Sequence, residues 1–122
     1  MSIKYFINTE IEIPINLMPL ISDADYSQHV VNIEYNSAGL SIQWNFTNAS
    51  GDHSVTSITP AESGNYKWVN DGNGMYYIII PASGGDTINN DAVGFGWITG
   101  RANRVLGFRG PIITFKPARV GL

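Results

Sequence analysis

The chain has 122 residues, 43% apolar and only 14% charged, with a net charge of −3 and no cysteine. That length suits one domain with a single core, the lack of Cys excludes disulfide frameworks and thiolate metal sites, and no apolar run approaches the roughly 18 residues of a membrane span. Charge is split along the chain: residues 1–100 hold ten acids against Lys4 and Lys67, net −8, whereas residues 101–122 hold Arg101, Arg104, Arg109, Lys116 and Arg119 and no acid, net +5.

The N-terminal stretch meets polar residues too early for a signal-peptide core, so the expectation is synthesis in a cytoplasm. Ile3–Ile7 predicts a first short strand. Glu10–Leu17 alternates, with Ile11, Ile13, Ile15 and Leu17 on one face, the period-2 signature of a half-buried strand. Pro14 cannot donate to a ladder, which places this strand at a sheet edge or breaks it there. Asp23, Asp25 and Ser27 have the spacing of the opening of a calcium loop, and Glu34 stands at its twelfth position, inside an alternating pattern. Position 28 is Gln where that loop needs Gly, so the stretch predicts an Asx-type turn and no metal site.

Val30–Tyr35 and Leu40–Phe46 predict a hairpin across the turn Asn36–Gly39. Leu40, Ile42, Trp44 and Phe46 share one face, and Trp44 is expected to anchor the core, an aromatic burying roughly 150–250 Å². Asn45-Phe46-Thr47 and Asn48-Ala49-Ser50 match the glycosylation tripeptide, read here as coincidence of composition. His53–Thr59 reads as a moderate strand. Tyr66 and Trp68 share a face of the next. In Asn70-Asp71-Gly72-Asn73-Gly74, the glycines permit the positive φ angles of a hairpin turn.

Met75–Pro81 is apolar on both faces, as in a central strand covered on both sides. Ala82–Asp91 predicts a loop, with one helical turn at 86–90. Val93–Thr99 sets Val93, Phe95 and Trp97 against Gly94, Gly96 and Ile98. The glycines leave one face nearly bare, open to a backbone or a large ring. Arg104–Phe108 and Ile112–Lys116 are final strands, broken by Gly110-Pro111, and Ala118–Leu122 reads as a tail. No segment holds a 3.6-residue apolar period. The expected fold is an all-β, antiparallel β-sandwich, Ig-like or jelly-roll-like, in a single domain 1–122, with less than about 10% helix. A closed barrel is the alternative. Trp44, Tyr77 and Trp97 are expected between the sheets.

Few residues point to catalysis. His29 and His53 are the only imidazoles, and no nucleophile elbow, phosphate-cradling loop or paired-His motif is present. Spacing cannot place two carboxylates across a cleft. The expectation is no catalytic, cofactor-binding or metal residue. Nucleic acid is disfavoured, because no basic stacked-aromatic motif accompanies the charges.

One resemblance goes further. Residues 64–100, with Gly-x-Tyr-x-Trp, Gly-x-Gly-Met-Tyr, Pro-Ala-Ser-Gly-Gly, Asn-Asn and Gly-Phe-Gly-Trp, followed by Gly107-Phe108-Arg109-Gly110-Pro111, look like a recurring module of tailed-bacteriophage structural genes. Met18–Ile21, Tyr35-Asn36, Gly39-Leu40 and Trp44 fit the same pattern, so the likeness covers most of the chain. In longer relatives the module precedes fibre-like or repetitive sequence; here the sequence stops at Leu122. The resemblance implies a virion structural protein, best matched to a capsid decoration (cement) protein bound to the outside of the head. The alternative is a tail or fibre attachment or carbohydrate-binding module, with exposed aromatics stacking on a glycan. The implied partners are a major capsid protein and further copies of the chain, as dimer or trimer, with no nucleic acid and no membrane. Arg101, Arg104, Arg109, Lys116 and Arg119 are the candidate capsid interface. A competing reading pairs these bases with acidic neighbours across a sheet, each pair worth roughly 0.2–1 kcal/mol.

Overall fold

The structure, a computed structural model, describes residues 2–82 and 92–117. The turn predicted at 86–90, Arg119 and the tail 118–122 lie outside the described residues. The elements in chain order are β1 (Ser2–Phe6), β2 (Ile11–Pro14), β3 (Ser41–Asn48), β4 (His53–Ile58), β5 (Trp68–Asn70), β6 (Tyr76–Ile80), β7 (Gly94–Ala102), β8 (Val105–Arg109) and β9 (Ile112–Lys116). No α-helix occurs among the described residues. One sheet runs β1-β9-β7-β3-β4 with β8 also on β7; the other runs β2-β6-β5. Pairing is antiparallel except between β1 and β9. The fold is the all-β two-sheet sandwich that the alternating segments predict.

The inner faces meet in one core. Ile42, Trp44 and Phe46 of β3, Ile98 of β7, and Ile113 and Phe115 of β9 face Ile11 and Ile13 of β2, Trp68 of β5, and Tyr76, Ile78 and Ile80 of β6. Each fully buried large aliphatic contributes about 1.5–3 kcal/mol. Trp44 packs edge-on to Phe115 at 6.0 Å between centroids, and Trp68 tilts against Tyr76 at 5.2 Å. The Trp44 Nε1 is buried without a hydrogen-bond partner among the described residues. Pro14 lies on an edge strand, as its missing N–H requires. Gly72 and Gly74 take positive φ, 92° and 89°, in the turn that joins β5 to β6.

The predicted hairpin of 30–35 with 40–46 does not form. β3 pairs with β4 and β7 instead, and 30–40 is irregular. Side chains have claimed its backbone. Tyr76 Oη donates to Val30 O at 2.8 Å and accepts from Ile33 N at 3.1 Å. Trp68 Nε1 donates to Ile33 O and Asn70 Nδ2 to Val31 O, both at 2.9 Å. A segment whose polar groups are satisfied this way is held without a ladder.

A buried Asn performs the same service for 16–18. Asn16 is 1% exposed. Its Nδ2 donates to Met18 O and Gly74 O, and its Oδ1 accepts from Tyr76 N.

Two further expectations invert. Tyr77 is half-buried, and Tyr76 takes the fully buried position. In β7 the Gly94, Gly96 and Ile98 face turns inward, leaving Phe95 and Trp97 outside. β6 is central in its sheet, but only the Tyr76, Ile78 and Ile80 face is fully covered.

Candidate binding face

The outer face of the six-stranded sheet is built by this inversion. A Cβ at Gly96 would lie 2.7 Å from Trp44 Cζ2, and one at Gly94 2.7 Å from Phe46 Cζ. The core rings of β3 therefore fill the space above the β7 glycines, and the large β7 side chains must point the other way. The bare face does admit a large ring, as read from the sequence, but that ring is Trp44. Sequence reasoning missed Phe95 and Trp97 as surface residues. The available signal was that β3 already supplies rings to this layer, which leaves no room for a side chain at 94 and 96, where those rings lean.

Register sets the outward positions. Along β3 and β7 they pair as Ser41–Arg101, Gln43–Thr99, Asn45–Trp97 and Thr47–Phe95. β4 adds His53 opposite Thr47 and Val55 opposite Asn45. Arg109 of β8 lies opposite Thr99, Thr114 of β9 opposite Phe95, and Lys4 of β1 opposite Thr114. Lys116 pairs with Phe6. Phe95 is 43% and Val55 54% exposed.

The rings form a row: Trp97 stacks with His53 at 6.2 Å and 29°, and with Phe95 at 6.4 Å and 22°. Arg109 Cζ stands 5.9 Å from the Trp97 centroid, and Lys116 Nζ 4.7 Å from that of Phe6. Such cation–π contacts are worth about 0.5–1 kcal/mol at exposed sites. Asn45 Nδ2 donates to Thr99 Oγ1 at 3.1 Å, and Thr47 Oγ1 lies 3.2 Å from His53 Nδ1.

Of the five predicted interface bases, this face gathers Arg101, Arg109 and Lys116, and it adds Lys4. Arg104 sits instead in the β7–β8 turn at φ 65°, where its carbonyl accepts from Asp23 N. Arg119 lies outside the described residues. The cross-strand partners of the three, Ser41, Thr99 and Phe6, carry no charge, so direct cross-strand pairing with acids does not account for them. The outward ladder positions named here hold four cations and no carboxylate.

Four of the acids lie around the smaller sheet. Glu12 lies on β2, Glu34 accepts from Asn70 Nδ2, Glu62 accepts from Tyr35 Oη, and Asp71 is in the β5–β6 turn. Two tyrosines report this. Burial pushes the Tyr76 hydroxyl above its usual pKa; the Ile33 N–H partly offsets this, and Glu34 and Asp71 add to the rise. Burial, then Glu12, does the same to Tyr5.

The remaining polar candidates are local structure. Asp25 Oδ1 accepts from Ser27 Oγ at 2.6 Å and from Ser27 N at 3.0 Å, the Asx turn expected there, and these bonds lower the Asp25 pKa. Asn48 Oδ1 accepts from Ser50 N and Asp52 N, shaping the β3–β4 turn. His29 bridges to Ile21. Among the described residues, no group of three or more His, Cys, Asp or Glu could hold a metal ion, and no helix is long and apolar enough to cross a membrane.

Clefts adjoin the sheet among the described residues. An apolar one of about 280 Å³ is lined by Leu17, Met18, Ile21, Leu106 and Phe108 among others. A polar one of about 290 Å³ lies between Ser41, Gln43, Thr99, Gly100 and Arg101, at the end of the ring row. No protein-family model matches the chain, and no curated protein matches it.

Proposed function

We propose that this chain is a structural, non-catalytic protein of a tailed-phage virion, a decoration (cement) protein that grips the outer surface of the head with the outer face of its six-stranded sheet. The observation that carries this is the concentration of Lys4, Arg101, Arg109 and Lys116, with exposed Phe95 and Val55, on one sheet face of an acidic protein whose described outward ladder positions hold no acid. The sequence resemblance supplies the virion context. Aromatics and Arg are the residue types enriched at protein interfaces, and a basic face steers approach to an acidic partner. The partner is a major capsid protein with an acidic contact surface.

The protein binds as a symmetric dimer or trimer at a capsid symmetry axis, where a second contact is effectively intramolecular. Cosedimentation with purified capsids tests the reading. Trp97→Ala and Arg109→Ala, each still folded, are expected to weaken binding, and added salt to weaken the wild type. Unchanged binding for both variants at low and high salt would remove this face as the grip. A strictly monomeric protein that binds capsids at full strength would remove the oligomer.

A second reading, tail or fibre attachment through a glycan, is favoured by the His53–Trp97–Phe95 row beside a polar cleft. Retention on an immobilised host glycan, with no cosedimentation, would replace the first reading by the second.

A further inference from the structure

We infer that the cleft between Ser41, Gln43, Thr99, Gly100 and Arg101 is a carboxylate-binding site. This deepens the docking role proposed above and rests on it only for the identity of the partner. The cleft has a volume of about 290 Å³, at the low end of small-ligand pockets. Its chemistry comes from two facing pairs, Ser41–Arg101 and Gln43–Thr99. On an antiparallel ladder, facing residues lie about 5 Å apart and successive outward residues about 7 Å apart. A guanidinium, two hydroxyls and an amide thus line one small cleft.

Arg offers a planar fork that meets both oxygens of a carboxylate, and the hydroxyls and amide offer further donors. The Arg101 partner in the ladder is Ser41, not an acid, and no carboxylate occupies the outward positions around it. The backbone is specialised at the same point. The β7–β8 register shifts between Gly100 and Ala102, the interval that contains Arg101. A bulge of this kind bends the strand and re-aims a side chain.

The occupant is an Asp or Glu side chain of the partner protein, in keeping with the acidic contact surface proposed above, and a uronic-acid unit of a glycan is the alternative outcome of the test. The neighbouring Trp97 distinguishes them. An acidic side chain needs only the cleft, whereas a sugar ring carrying the carboxylate extends onto the indole.

The test is an amide and indole NMR titration with sodium glutarate, sodium glucuronate and neutral glucose, at ionic strength held constant with sodium chloride. Both acids are expected to shift the Ser41, Gln43, Thr99 and Gly100 amides, with a Kd on the order of 1 mM for ligands of about a dozen heavy atoms. Glucose at the same concentrations is expected to leave these amides in place. Arg101→Ala should abolish the shifts and Arg101→Lys should weaken binding about tenfold, because Lys is a point charge without the fork. Both variants sit at an exposed position, and the retained dispersion of the remaining amides verifies their fold. Equal affinities for the two acids assign the site to an acidic side chain. Tenfold tighter glucuronate, with a shifted Trp97 indole, assigns it to a uronic acid.

Shifts spread equally over the strands that carry Lys4, Arg109 and Lys116, or shifts that survive Arg101→Ala, would overturn the site. Acids that bind the cleft of a protein that ignores capsids leave the site standing and remove the capsid. Capsid binding unaffected by Arg101→Ala, in a protein whose cleft amides ignore both acids, removes the cleft alone.

Discussion

The two faces of the six-stranded sheet carry similar rings to opposite ends. Trp44, Phe46 and Phe115 point inward, each at most 6% exposed. Trp97 and Phe95, on the strand next to Trp44 and Phe46, point outward with Arg109 against the indole. Aromatic content therefore does not sort core from surface here. What sorts them is the glycine opposite: Gly96 faces Phe46 in the ladder and lies under the Trp44 ring, so one tryptophan is received into the core and the other excluded from it.

The widest contrast should appear on truncation. Trp44→Ala is expected to lose about 3–5 kcal/mol of stability, as for other buried large aromatics. Trp97→Ala is expected to stay within about 1.5 kcal/mol, because its ring is only partly covered and its stacking and cation–π contacts are each worth about 0.5–1.5 kcal/mol. Urea unfolding of both variants measures the gap. Equal losses would put Trp97 in the core and dissolve the contrast.

Gly96→Ala attacks the hinge of the comparison. The added methyl meets the Trp44 indole and the Asn45 carbonyl. Overpacking of this kind costs typically 1–3 kcal/mol. Gly107→Ala, where the nearest atom to the new Cβ is 3.9 Å away, is the matched control and should be near neutral. A neutral Gly96→Ala would show that the ring does not need the space.

Tyr76→Phe tests the other sheet. It leaves Val30 O and Ile33 N without their shared partner, and an unpaired buried group costs about 1–3 kcal/mol. Hydrogen exchange should speed up at Ile33 before it does in β3. The pH dependence has a definite sign. The folded-state pKa of Tyr76 is raised, so its contribution is complete below about 10 and is lost as pH rises through the folded value. The variant should flatten part of the alkaline fall, to which Tyr5, also raised, contributes with the same sign.

The smallest effect belongs to Asp25. Its folded-state pKa is lowered by two bonds from Ser27, so its contribution is present above the usual carboxylate range near 4 and is lost as pH falls through the folded value. Asp25→Asn should change the melting temperature slightly at neutral pH and not at all at the lowest pH the fold survives. Since this carboxylate lies on an exposed loop, a large loss at neutral pH would contradict the Asx-turn role.

Much of the sandwich was determined by the sequence itself. Ile11, Ile13 and Ile15, and Ile42, Trp44 and Phe46, show period 2, which is a local property of the strand and names its buried face directly. Gly72 and Gly74 mark their turn because positive φ is a property of single residues. Three of the four bases of the candidate face, Arg101, Arg109 and Lys116, were legible as the split of charge along the chain, which needs only counting, whereas Lys4 joins them only through the β1–β9 pairing. Three choices waited for the tertiary structure. Which side of β7 turns inward depends on the rings that β3 brings from fifty residues away. Whether 30–35 becomes a strand depends on Tyr76, Trp68 and Asn70, whose hydroxyl, indole and amide reach its backbone only once the sheets pack. The meeting of Arg101 with Ser41, and of Arg109 with Trp97, depends on strand order, because period 2 groups the residues of a strand by face but carries no information about which strand lies beside it.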